Sequence, residues 1–161
     1  MVDTVEQAKL LVSATRFPPE GVRGVATQTR ATRWGRVQHY LKSAREEIGL
    51  FLQVETKAAL SNIEEIASVD GVDGIFVGPS DLAATLGYLG EPTRPEVQRV
   101  IEAALKSVRA ARKPVGILTA DETLAHRYLD LGATFVAVGI DTMLLARATS
   151  ALLERFKASK K

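Results

Sequence analysis

Four short apolar runs, residues 50–54, 75–77, 115–119 and 134–138, are each followed by a stretch whose apolar residues recur at helical spacing, and this alternation constrains the fold more than any other feature. Continuous apolar runs suit parallel strands whose sheet is covered on both faces, and parallel neighbours need a crossover long enough for a helix. The expectation is an α/β fold of four strands, each followed by a helix. Short polar joints and the absence of a linker make residues 1–161 a single domain. Doubly wound sheets and closed barrels both satisfy the pattern. In either, ligands collect at the carboxyl ends of the strands, so polar residues there are the ones to weigh.

Local signals place the helices. Thr4 and Gln7 have capping-box spacing ahead of Val5, Ala8, Leu11 and Val12, and Pro18 and Pro19 end that helix. A second helix is predicted over 34–48, with Val37, Tyr40, Leu41, Ala44 and Ile48 on one face. Thr56 caps a helix carrying Ala59, Leu60, Ile63 and Ile66, and Gly71 and Gly74 turn the chain into the next strand. Val97, Ile101, Ala104, Leu105 and Val108 mark the inner face of a helix over 95–112. Asp121 caps the one ending near Gly132, and a last helix is predicted over 142–156.

The chain has no cysteine, which excludes disulfides, thiolate metal sites and thiol nucleophiles and leaves chemistry to oxygen and nitrogen groups. A formal net charge of +2 with dispersed basic residues does not describe a nucleic-acid surface, and Lys157, Lys160 and Lys161 read as a solvated tail. No stretch approaches the roughly 20 apolar residues of a membrane span, and acidic residues interrupt the start before an apolar run can form. The expected location is the cytoplasm.

Two carboxylates stand out. Glu55 ends the first strand and Asp81 follows the second, one βα unit later. Adjacent parallel strands lie about 4.8 Å apart, so acids at successive strand ends can converge on one cation, and oxygen ligands of this kind suit Mg²⁺ or Mn²⁺. The bland alternative is that Glu55 ties down a loop and Asp81 caps the following turn. Gln53, two residues before Glu55, shares its strand face and can donate to a bound oxygen. Gly78, Pro79 and Ser80 allow close backbone approach at a helix start, where carboxylates are welcome, or form an ordinary βα turn. His39 and His126 fall within predicted helices and read as surface or packing residues. Lys57 belongs to a helix start rather than a sheltered strand interior, which argues against imine chemistry. Arg16, Arg23, Arg30, Arg33 and Arg36 form a basic stretch suited to a solvated face or a subunit contact.

Five segments carry a resemblance: Arg16-Phe-Pro-Pro-Glu-Gly-Val-Arg-Gly24, Gln53-Val-Glu-Thr56, Gly71-Val-Asp-Gly-Ile-Phe-Val-Gly-Pro-Ser-Asp-Leu82, Gly116-Ile-Leu118 and Phe135-Val-Ala-Val-Gly-Ile-Asp141. In order along the chain, they resemble the class II, metal-dependent pyruvate aldolases of the 4-hydroxy-2-oxoheptanedioate and 2-keto-3-deoxy sugar-acid type. The resemblance implies a (β/α)₈ barrel in which Glu55 and Asp81 hold Mg²⁺ or Mn²⁺. Gln53, Gly78, Pro79 and Ser80 then meet the pyruvate part of an oxo acid, and Leu118 lies by the aldehyde. It implies retro-aldol cleavage to pyruvate and an aldehyde, and a homo-oligomer whose last helix packs on a neighbour. The family's histidine base and arginine come from strands that would lie upstream of Met1. A complete barrel needs about 250 residues, so the expectation is the C-terminal half of the barrel, a truncated form. A noncatalytic metal- or oxo-acid-binding remnant and a relative cleaving acyl-CoA thioesters of hydroxy acids are the alternatives.

Overall fold

Four parallel strands, β1 (Phe51–Val54), β2 (Gly74–Val77), β3 (Val115–Leu118) and β4 (Phe135–Ala137), pair in chain order in a computed structural model that describes residues 1–158. Helices α1 (Val5–Thr15) and α2 (Tyr40–Glu47) precede the sheet. Helices α3 (Lys57–Ser61) and α4 (Ile63–Ser68) join β1 to β2, and α5 (Pro79–Thr85) and α6 (Pro95–Ala110) join β2 to β3. Helix α7 (Glu122–Asp130) joins β3 to β4, and α8 (Asp141–Ala158) follows β4. A strand order that never reverses has no doubly wound switch point, so the sheet is an arc of (β/α)₈ barrel wall with four of the eight strands.

Register and side-chain alternation divide the sheet into two faces. Leu52 lies opposite Ile75 and Ile75 opposite Val115; Val54 lies opposite Val77 and Val77 opposite Ile117. All six are at most 2% exposed and join Ala59, Ile63, Ile66, Val97, Ile101, Leu105 and Val108 of the helices in one core. The second face differs from expectation. Among the described residues no helical layer covers it, and Phe51 and Phe135 are 49% and 42% exposed. This is the barrel-lining face, so the apolar residues of the strands there serve the interior of a barrel rather than a second layer of helices. Phe135 meets Phe51 edge-on at 5.8 Å and Phe76 at 5.6 Å between ring centroids. It rests on Gly116, where a Cβ would stand 2.3 Å from the ring.

The caps form as the sequence signals. Thr4 and Gln7 complete a capping box on α1, and Thr56 and Asp121 accept from the amides of Ala59 and Leu124. The helix expected over 34–48 begins only at Tyr40. Upstream, the Thr32 hydroxyl lies 2.9 Å from the carbonyls of Thr27 and Thr29 and accepts from the amides of Thr29 and Gly35, pulling the backbone into turns. Arg33, Trp34 and His39 have positive φ, which helix excludes, and His39 is the N-cap of α2 rather than a mid-helix residue. The single helix expected after Thr56 is split at Asn62, whose amide donates to the carbonyl of Asp3 at 2.8 Å. Helix α8 has no buried residue, and Leu144, Leu145, Leu152 and Leu153 are exposed along it. Of the basic tail, Lys157 pairs with Glu154, while Lys160 and Lys161 lie outside the described residues.

Candidate functional site

The carboxyl ends of β1, β2 and β3 bring Gln53, Gly78 and Leu118 to the barrel-lining face, because each is offset by an odd number of positions from the buried Val54, Val77 and Ile117. Glu55 follows β1 directly and is 5% exposed. Gln53 Nε2 donates to Glu55 Oε2 at 2.6 Å, a short charge-assisted bond that joins the two side chains across one turn of pleat. Gly78 closes the far side of this acid. Its amide donates to the Val54 carbonyl at 3.1 Å, continuing the sheet ladder one step beyond β2 and seating the glycine against Glu55.

Glu55 is held from its flanks as well. The amide of Val2 donates to the Gln53 carbonyl at 2.9 Å, and the Thr56 hydroxyl donates to the carboxylate of Asp3. The segment before α1 therefore brackets the strand end on both sides of the acid. Sequence spacing carries no sign of this, since Asp3 and Thr56 meet only through the fold. Among the described residues, neither Glu55 nor Asp81 has a lysine, arginine or histidine within ion-pair distance. A largely buried acid with one side-chain hydrogen bond and no cation beside it keeps an oxygen free to meet a ligand.

Asp81 is exposed in the first turn of α5, three residues after the Gly78 N-cap, so its backbone starts about 5 Å from the glycine that touches Glu55. Among the described residues no side chain caps α5, and the first-turn amides of Ser80 and Asp81 face the same end of the sheet with Pro79 at the first helical position. The structure thus packs Glu55, Gln53 and Gly78 together, and sets Ser80, Asp81 and Leu118 on adjoining strand ends. No group of three or more histidine, cysteine or acidic residues that could hold a metal ion occurs among the described residues. Two carboxylates fit Mg²⁺ or Mn²⁺ only with water or ligand oxygens completing the shell, which is how these ions are ordinarily bound.

The other candidates lie elsewhere. His39 and His126 are exposed and stand at no strand end. Lys57 is exposed at the start of α3. Arg16 pairs with Asp70 at 3.1 Å, which, as the Arg16 guanidinium donates to it, holds the Asp70 carboxyl below its ordinary range. Arg23 stacks over Phe17 at 4.6 Å and donates to the Tyr40 hydroxyl at 3.2 Å, so it serves packing between the 17–24 arm and α2.

Residues 1–148 match the profile of the HpcH/HpaI aldolase/citrate lyase family. The chain is 52% identical, over 162 aligned positions, to a protein of Salmonella heidelberg named 4-hydroxy-2-oxo-heptane-1,7-dioate aldolase, and the match takes in 100% of this chain and 62% of that one. A crystal structure of an HpcH/HpaI aldolase/citrate lyase family protein from Burkholderia cenocepacia superposes with a TM-score of 0.90 at 36% identity, covering 98% of this chain and 63% of the other. An HpcH/HpaI aldolase from Desulfitobacterium hafniense superposes with a TM-score of 0.83 at 25% identity, over 97% of this chain and 61% of its own. The chain spans about 62% of the length of the curated relatives it matches, and within that span it belongs to the HpcH/HpaI aldolase/citrate lyase family.

Proposed function

We propose that the chain carries the metal- and oxo-acid-binding part of a carbon–carbon lyase that cleaves a 4-hydroxy-2-oxo acid to pyruvate and an aldehyde. The observation that carries this reading is the buried, cation-free Glu55 at the end of β1, one strand away from Asp81. Glu55 and Asp81 would hold Mg²⁺ or Mn²⁺. When bound, such an ion polarises the carbonyl of the oxo acid and stabilises negative charge that develops as the carbon–carbon bond breaks.

The chain's own groups bind and orient. Gln53 keeps the Glu55 carboxylate turned toward Gly78 and offers its second amide hydrogen to a ligand oxygen. The amides of Ser80 and Asp81 at the uncapped start of α5 suit the carboxylate of pyruvate, with Gly78 and Pro79 shaping the close approach. Leu118, on the same face at the end of β3, offers an apolar wall to the aldehyde part. Neither His39 nor His126 stands at a strand end, so the general base is assigned to neither. The names of the relatives support an oxo acid substrate. The exposed leucines of α8 suit a contact between subunits of a homo-oligomer, and no helix among the described residues is long and apolar enough to cross a membrane, which accords with action in the cytoplasm.

The test is pyruvate binding to the purified chain, read by titration calorimetry in Mn²⁺ or Mg²⁺ and in chelator. Binding that requires the metal and weakens at least about 10-fold in Glu55→Ala and Asp81→Ala is expected, since loss of a group at a metal site costs about 10- to 100-fold in affinity. Metal-independent binding, binding unchanged in both variants, or no binding at all refutes it.

A further inference from the structure

We infer that Gly78 is a positioning residue whose missing side chain is the seat of the Glu55 carboxylate. A Cβ built on Gly78 would lie 2.1 Å from Glu55 Oε2, 2.9 Å from Glu55 Cβ and 3.0 Å from Gln53 Nε2. Real side chains do not approach so closely, so the space that alanine would fill is already taken by the acid and its hydrogen-bond donor. The backbone does not call for glycine here. Gly78 has φ −96° and ψ 98°, an extended conformation open to any residue, and it precedes a proline, which favours the same region. What the position requires is therefore space, and the occupant of that space is Glu55.

The consequence is selective. The nearest clash is with the tip of a flexible side chain, which can swing away; the 2.9 Å approach to Glu55 Cβ, fixed to the backbone, is met by a small shift of the strand end, with the ladder bond from the Gly78 amide to the Val54 carbonyl still available. Gly78→Ala dislodges the carboxylate and breaks the 2.6 Å bond from Gln53. Its effect on metal binding rests on the assignment of Glu55 as a ligand; its effect on the Gln53–Glu55 bond does not. This separates Gly78 from a residue that merely contacts substrate: a contact residue replaced by alanine alters oxo acid affinity and leaves Gln53 and the metal where they were.

The experiment has two readouts on the purified chain. The first, without metal, is the side-chain amide resonance of Gln53 in wild type, Gly78→Ala and Glu55→Ala. Gly78→Ala is expected to shift it to the position seen in Glu55→Ala, with the circular dichroism spectrum unchanged. The second is Mn²⁺ affinity by titration calorimetry. Gly78→Ala is expected to weaken it about 10- to 100-fold, the range found when a group that orients a metal ligand is lost. Glu55→Asp, one methylene shorter, weakens binding in the wild type but costs less in Gly78→Ala, because its carboxylate clears the new methyl group while the Cβ contact is unchanged. A Gln53 resonance unmoved by Gly78→Ala overturns the inference whatever the metal does. Absence of Mn²⁺ binding by the wild type overturns the metal assignment of Glu55 and leaves the seat to be decided by the amide resonance.

Discussion

Replacing Glu55 by glutamine separates a ligand from a structural acid. Glu55 is 5% exposed, has no ion-pair partner among the described residues, and accepts one bond from Gln53 at 2.6 Å. Glutamine is isosteric and its carbonyl can still accept from Gln53, so the exchange removes charge without removing volume. The bond weakens by about 1 kcal/mol on going from a charged to a neutral acceptor. Against that, removing a charge that has no cationic partner relieves a desolvation cost of similar size, because only one carboxylate oxygen is held by the protein. The net is a metal-free protein within about 1 kcal/mol of wild type, a Tm change of no more than about 2–4 °C for a chain of this size. The assay is thermal unfolding at pH 7.5 in chelator and in excess Mn²⁺. Wild type gains about 2.7 kcal/mol when the ion is present at a hundred times its Kd, and Glu55→Gln gains little, so the two proteins separate as metal is added. A variant that unfolds much earlier than wild type in chelator refutes the reasoning, since Glu55 would then be holding a loop in place.

Two further outcomes test the frame around the site. Tyr128→Phe removes the donor to Gln98 Oε1 (2.9 Å, both residues at most 6% exposed) and strands a buried acceptor, costing about 1–3 kcal/mol in denaturant unfolding. Burial holds the Tyr128 hydroxyl above its ordinary ionisation range, so this residue contributes stability that is complete below about pH 10 and drains away as pH rises past it; the phenylalanine variant lacks that alkaline decline. Gly116→Ala places a methyl group 2.3 Å from the Phe135 ring and costs about 1–3 kcal/mol, a penalty that shrinks when Phe135 is also replaced by alanine.

Much of the fold can be read from sequence because its signals are local. The apolar runs became strands, and Thr4, Thr56 and Asp121 cap helices as their spacing predicts. Reading fails where a side chain spends its hydrogen bonds on distant backbone. Thr32 gathers a turn in place of half of the helix expected over 34–48, and Asn62 reaches Asp3 and divides another. The continuous apolar runs also hide that only one face meets helices, since an interior barrel face and a helix-covered face select the same residue types. At the site, Gln53 and Glu55 are visible as a polar pair ending an apolar strand. The bracket formed by Val2, Asp3 and Thr56 is not visible, and neither is the reason for glycine at 78, which lies in the volume of an acid one strand away.

Whether Glu55 and Asp81 hold one ion together is tested most directly by Mn²⁺ binding to the purified chain, followed by electron paramagnetic resonance and calorimetry. One Mn²⁺ per chain in the wild type, with binding lost in Glu55→Ala and in Asp81→Ala alike, is the predicted result. Binding that survives either substitution undiminished, or a wild-type chain that takes up no Mn²⁺, contradicts it.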